Sequence, residues 1–433
     1  MDTKADAQES AFAAELPATN EMTLVPTTTT KLLHIIFIAL IAIAFTALFM
    51  IGYSWLYNVI WLDNNFMTTN RWMIPVGVLA FSLAIGLCQK YLNAPTMIDG
   101  NIMDSMKGSG EKVDYRTFPG ALLSSLFSLL SGASIGPEGT ITILVGDISS
   151  FVRDKLKIAN ESVDESLGFD LAALASAFNG IIGNVLFTGV LATEFQVGGK
   201  RDAFRFLIWN LLAGAIGYLF YVSLGLPSFA HMIPFSPITE LTLLYIVYAV
   251  IFGVVGVLLA VFAGLSMQTI GIIMEKSFHD KVVLRAFVAG VVIAIVGYFI
   301  PNLMFSGESQ IHSIIQNASE IGIAMLLLMA VLKIPLLALS FKSGYIGGPI
   351  FPILFSSTMI ALALNLAFPG VPLSILVMCI ETGAITLALG APLTAILLVA
   401  VVGTANPYMT SLLTLSAVTA MILALVFRKT KEQ

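Results

Sequence analysis

Charge is what this sequence has least of. Of its 433 residues only 11% are Asp, Glu, Lys or Arg, against roughly 25% in an ordinary soluble domain. That excludes a water-soluble globular chain. Cysteine is almost absent: Cys88 and Cys379 both lie inside apolar runs, where buried thiols are expected rather than a disulfide framework. The four histidines, His34, His231, His279 and His312, are too far apart to make a metal-ligand motif, and no cofactor or metal motif is present. The 21 Lys and Arg are scattered with no basic stripe, which argues against nucleic acid as a partner. Residues 1–30 lack the basic start and short apolar stretch of a cleavable signal. They are acidic and Thr-rich, as expected of a polar disordered tail.

Apolar residues are abundant: 58% of the chain, with a mean hydropathy of +0.93. The implied class is an all-α polytopic membrane protein of the cell membrane, surrounded by lipid, with length for roughly ten or more segments of about 20 residues. Apolar runs cover about 33–61, 72–88, 120–131, 138–153, 168–194 and 203–225. After the Pro-rich stretch "LPSFAHMIPFSPIT" they resume at about 241–274, 284–300, 320–340, 349–367, 372–402 and 408–427. This divides the chain into a first membrane repeat (31–226), a linker (227–240), a second repeat (241–427) and a short tail (428–433). The closing "FRKTKEQ" places that tail on the cytoplasmic side. The 18 methionines are expected to fill gaps in the core.

Several runs are broken by Gly and Pro. Broken backbone at membrane depth is tolerated only where protein buries it or a cavity lines it. Breaks at matching places in two halves point to a transport site. "SGASIGP" begins at Ser131 and "SGYIGGP" at Ser343, both of the form S-G-x-x-x-G-P, with an offset of 343 − 131 = 212. "FNGIIGNVLF" (178–187) loosely matches "LGAPLTAILLV" (389–399) at an offset near 211. "MIDGNIMDSM" and "LMFSGESQIHSII" hold corresponding earlier places. Matches in one order at nearly one offset imply an internal duplication.

Each copy of the motif is a Gly-rich turn opening into an apolar helix. Unpaired amides and the positive end of the helix dipole gather at such an entry. Two entries aimed at one point bind an anion without a full positive charge. Glu138 stands at the first entry. A carboxylate there either complements the dipole or competes with an anion for the same amides, and at membrane depth an ionisable side chain points to function.

The motifs resemble those of the CLC family of chloride channels and chloride/proton antiporters. The family's G-R-E-G-P gate motif reads Gly136-Pro137-Glu138-Gly139-Thr140. Its G-G-x-F-x-P motif reads Gly347-Gly348-Pro349-Ile350-Phe351-Pro352, and "FNGIIGN" and "APLTA" resemble two further segments. The resemblance implies two inverted repeats with broken and re-entrant helices, a homodimer with one pore per subunit, and Glu138 as the gate. It places the anion against Gly100, Asn101, Ile102, Gly136, Gly139, Gly348, Ile350 and Phe351. The sequence also departs from the family. The serine of the first anion motif is replaced by Gly100, the tyrosine of a last helix is missing, and Pro137 stands in place of an arginine.

Antiporters of the family use an internal glutamate for protons, and alignment puts Val190 or Leu191 there. Glu194, one turn later, either replaces it or caps a helix end. Glu381, in another apolar run, is either a proton site or a paired core acid. Asp147 is expected to be structural, and Lys342 to reach the interface or raise the local anion concentration. Chloride is the first expectation for the anion, with fluoride or nitrate as alternatives. A membrane-embedded serine hydrolase is the reading from another class, since "GASIG" fits G-x-S-x-G with Ser134 as nucleophile.

Overall fold

A Thr begins each half of the molecule. Thr28 accepts a hydrogen bond from the Lys31 amide at 3.3 Å and caps helix α1 (Thr29–Tyr57). Thr242 accepts from the Tyr245 amide at 3.3 Å and caps α8 (Leu243–Phe278). Such caps satisfy an amide that the helix itself leaves unpaired. The computed structural model describes residues 28–64, 69–96, 115–156, 163–195 and 206–431. Among them there is no β-strand.

After α1 and one π-helical turn (Asn58–Leu62) come α2 (Met73–Tyr91), α3 (Phe118–Leu130), α4 (Glu138–Lys155), α5 (Val163–Ile182), α6 (Phe187–Glu194) and α7 (Leu207–Ser223). The second half runs α8, α9 (Val282–Phe299), α10 (Glu308–Gln316), a single turn (Ala318–Ile321), α11 (Ile323–Lys342), α12 (Ile350–Ala367), α13 (Leu373–Leu389), α14 (Pro392–Val402) and α15 (Pro407–Lys431). Seven helices among the described residues are long and apolar enough to cross a membrane. Their outward faces carry large exposed apolar side chains such as Leu48, Leu243, Leu258 and Leu425, a surface suited to lipid. The innermost helices, α12 and α13, are buried along nearly their whole length.

The duplication holds helix by helix. Adding 212 to the bounds of α4 gives 138 + 212 = 350 and 155 + 212 = 367, the bounds of α12. Gly132 and Gly344, also 212 apart, both turn left-handed, at φ +76° and +92°, directly after the ends of α3 and α11. The motif is thereby decoded. Its Ser-Gly ends one helix with the residue that tolerates positive φ, and its Gly-Pro opens the next. Equivalent helices also meet across the molecule, α2 against α9 and α6 against α14. Contacts between equivalents fit a two-fold relation between the halves, such as an inverted repeat has.

Two of the expected runs are each two helices. Run 168–194 breaks at Gly183 (φ +77°) and run 372–402 at Gly390 (φ +70°). The breaks lie 390 − 183 = 207 apart rather than near 211, because α13 has 17 residues where α5 has 20. At the first break Asn179 replaces the lost helical bonds, donating to the Val185 carbonyl at 2.6 Å and accepting from the Thr188 amide at 2.9 Å. The linker is stitched to both halves, Phe229 N–H to the Ile181 carbonyl (2.7 Å) and His231 N–H to the Val401 carbonyl (3.0 Å). Cys88 and Cys379 are free and buried, as expected.

Helices α8 and α13 approach to backbone contact. A Cβ on Gly256 would lie 2.3 Å from the Ile380 carbonyl oxygen, whereas one on Gly264 would meet nothing within 4 Å. Overpacking costs about 1–3 kcal/mol even against side chains that can move. Gly256→Val is therefore expected to lower the melting temperature in detergent or to abolish monodisperse protein on size exclusion, and Gly264→Val to do neither. Equal behaviour of the two variants would contradict this packing.

Candidate anion-binding site

The two Gly-Pro entries touch. Gly136 N–H donates to the Gly348 carbonyl at 2.8 Å, and Gly348 N–H returns the bond to Gly136 at 2.7 Å. This is an isolated antiparallel bridge between residues that the repeat makes equivalent. Around it the peptide groups are held by side chains: Ile346 N–H donates to Ser128 Oγ (3.0 Å), Thr140 Oγ1 to the Ile346 carbonyl (3.2 Å), and Gln89 Nε2 to the Gly344 carbonyl (2.6 Å). From the bridge α4 and α12 start with their N-termini side by side.

Proline prunes the donors at these entries. Pro137 and Pro349 occupy the cap positions, and Ile141 and Ile353 bond back to their carbonyls at 2.9 and 3.2 Å. Pro352 has no N–H. The unpaired donors in the first turn of α12 are thus Ile350 and Phe351. Glu138 takes them. Ile350 N–H donates to Glu138 Oε1 at 2.7 Å, and the Phe351 amide and Glu138's own amide also bear on the carboxylate. Glu138 is 4% exposed, and its carboxylate rests on a helix-end dipole.

The glycines make the room. A Cβ at Gly348 would fall 2.1 Å from Glu138 Cγ, and one at Gly136 would fall 2.0 Å from Glu138 Oε2. Gly139 packs so tightly that a Cβ would meet the Gly347 carbonyl oxygen at 2.0 Å. The structure therefore gathers Gly136, Glu138, Gly139, Gly348, Ile350 and Phe351 at one point. Gly100, Asn101 and Ile102 lie outside the described residues.

The other expected residues are elsewhere. Glu194, partly exposed, accepts from the amides of Leu393 and Thr394 at 2.7 Å each and from Thr394 Oγ1 at 2.6 Å. It caps α14, a helix of the opposite repeat, rather than its own. Glu381 is buried on α13, with Thr358 Oγ1 of α12 at 3.0 Å. Asp147 is buried, and the stem of Lys342 lies against Gly271. Ser134 does not stand on a nucleophile elbow. A helix, α3, precedes its turn where the elbow needs a strand, and its Oγ donates to the Lys333 carbonyl at 3.3 Å.

Two residues escaped the sequence reading. Lys333 sits fully buried in α11, and Glu308 opens α10 within electrostatic range of Glu138. The signal for Lys333 was visible as a lone cation inside "IAMLLLMAVLKIPLLALSF". Nothing in the order of residues places Glu308 within the field of Glu138.

The family model described as voltage gated chloride channel matches residues 81–425. The chain is 26% identical over 306 residues to the H(+)/Cl(-) exchange transporter ClcA of Vibrio cholerae, covering 68% of this chain and 63% of that protein. It is 24% identical over 283 residues to the putative ion-transport protein YfeO of Escherichia coli, covering 64% of each. The matched stretch thus spans less than two thirds of these relatives. Among solved structures, a slow cyanobacterial Cl-/H+ antiporter superposes with a TM-score of 0.72 at 18% identity, over 93% of this chain and 95% of that one. A CLC-type fluoride/proton antiporter superposes at 0.69 and 21%, over 91% and 96%.

Removing a charged cap from a helix end costs about 0.5–2 kcal/mol. Glu194→Ala is accordingly expected to lower the melting temperature of purified protein by a few degrees. An unchanged melting temperature would show that the cap contributes nothing.

Proposed function

The chain belongs to the voltage-gated chloride channel family, and on that premise we propose that it carries a small inorganic anion, chloride first, along a path that Glu138 opens and closes. One observation carries the reading: a buried carboxylate accepts the free Ile350 amide in the first turn of α12, with the free Phe351 amide next to it. Amides that hold a carboxylate oxygen hold an anion for the same reason. Glu138 is then a tethered competitor. Ionised, it closes the site; protonated, it loses most of its attraction for the amides and yields to the ion. Gly136, Gly139 and Gly348 supply the bare backbone that lets the ion approach, with Gly100, Asn101 and Ile102 as proposed partners from the other side. The site offers dipoles and no fixed cation at the first entry, so it binds weakly enough to release.

The transport unit is proposed to be a homodimer in the lipid bilayer, with a pore in each subunit. Glu194 is committed to the α14 cap, which leaves Glu381 as the candidate for an internal proton residue. It approaches α12 at Thr358, eight residues from Ile350, or about 12 Å along the helix. Fluoride is the second reading. Pro137 removes the cation that the resemblance expects at the entrance, and a CLC-type fluoride/proton antiporter shares the fold.

Hydrogen bonds to a charged group contribute about 1.5–3 kcal/mol, and a neutral amide loses much of that, so Glu138→Gln is expected to raise anion efflux at neutral pH roughly tenfold. Wild-type efflux from liposomes should rise as pH falls, because protonation frees the amides. In Glu138→Gln it should be flat with pH, and any anion-driven proton movement should vanish. A variant that keeps the wild-type pH dependence would overturn the gate.

A further inference from the structure

We propose that Glu308 is a second proton-carrying carboxylate that works with Glu138 in gating, and that Lys333 is the residue that positions it. The inference rests on Glu138 being the gate. It starts from Lys333, which is 0% exposed in the middle of an apolar helix. Its ammonium donates to the carbonyls of Leu303 (3.1 Å) and Phe305 (2.5 Å), with the Met304 carbonyl at 3.5 Å and the Phe355 ring centroid at 4.7 Å. Three carbonyls and a ring satisfy its protons and leave its charge uncompensated. A buried charge without a counter-charge is costly.

The chain is bent to supply that counter-charge. Phe305 is left-handed, at φ +60°, and Gly307 follows at φ +98°. Phe305 is also pinned, its N–H bonded to the Gly132 carbonyl at 3.0 Å and its ring set edge-on to Tyr57 and Trp61 at 4.9 and 5.3 Å. A Cβ on Gly307 would lie 2.5 Å from the Phe355 ring. These two turns deliver Glu308, the first residue of α10, into the field of both Lys333 and Glu138. The other described titratable groups that bear on it are Tyr53 and Tyr57 of α1, and Tyr57 is hydrogen-bonded to Ser309.

The charges then count as a set. Glu138, Glu308 and Lys333 carry −1, −1 and +1, so one proton makes the group neutral. Two oxygens, Glu138 Oε2 and Glu308 Oε2, are buried and accept no hydrogen bond. Glu308 as a residue is partly exposed. While Glu138 is ionised on the Ile350 amide, the proton resides on Glu308. An anion arriving at those amides adds negative charge, and the proton passes to Glu138 as it leaves. One O–H bond breaks, another forms, and the ionised Glu308 takes a new proton from water. A static Glu308–Lys333 ion pair would do none of this.

The test is anion efflux against pH from liposomes containing the full-length protein, with chloride and fluoride as the probes. Without Glu308 the set stores no proton, and Glu138 must take one from outside against the Lys333 charge, so Glu308→Gln should move the profile to lower pH. Removing the cation does the reverse, so Lys333→Met should move it to higher pH. Each shift is expected to be about one pH unit, tenfold in proton concentration, for interacting charges in a buried setting. The double variant Glu308→Gln/Lys333→Met leaves no unpaired charge and should return toward the wild-type profile. It decides the matter together with Glu308→Gln where Lys333→Met does not fold. A Glu308→Gln profile on top of wild type, with Glu138→Gln flat, overturns this inference and leaves the gate standing. A Glu138→Gln profile that still follows pH overturns both.

Discussion

Two hydrogen bonds between Gly136 and Gly348 hold the site together. They are the point where the equivalent turns of the two repeats meet, and they fix the N-termini of α4 and α12 beside each other. Everything at the site follows from that placement. One helix brings a carboxylate, and the other brings two amides that its prolines leave unpaired. The glycines on both sides keep the gap narrow enough for a single group. The repeat is nearly symmetric in backbone, and the asymmetry that matters is one side chain: Glu138 stands where the second copy has Ile350.

The same rule governs the other charges inside the protein. A carboxylate in a low-dielectric interior needs dipoles, a cation or a proton. Glu138 and Glu194 both come from the first repeat, and both end on helix N-termini of the second. Asp170 is paired with Arg153 at 3.0 Å. Lys333 is the mirror case, a cation held by carbonyl oxygens. The helix ends thus tie one half of the molecule to the other with the chemistry that also suits them to an anion.

Much of this was legible in the sequence because it is local. The S-G-x-x-x-G-P motif encodes a helix stop and a helix start within seven residues, and two copies 212 apart sufficed to find the repeat, its register and Glu138. The breaks at Gly183 and Gly390 were hidden because apolar residues continue through them on both sides. The sequence leaves Glu194 as either a proton residue or a helix cap, and the partner it caps lies about 200 residues away, beyond any pattern of spacing. Glu308 was invisible for a similar reason. Its position depends on two left-handed residues and on a lysine in another helix, and only packing brings these together.

The central claim is that Glu138 and the transported ion compete for the amides of Ile350 and Phe351. Calorimetric titration of purified wild type and Glu138→Ala with chloride, fluoride and nitrate at neutral pH tests it directly. The account predicts that at least one of these anions binds the variant about tenfold or more tightly, since the competitor and its charge-assisted bonds are gone. Equal or weaker binding of all three by Glu138→Ala would contradict it.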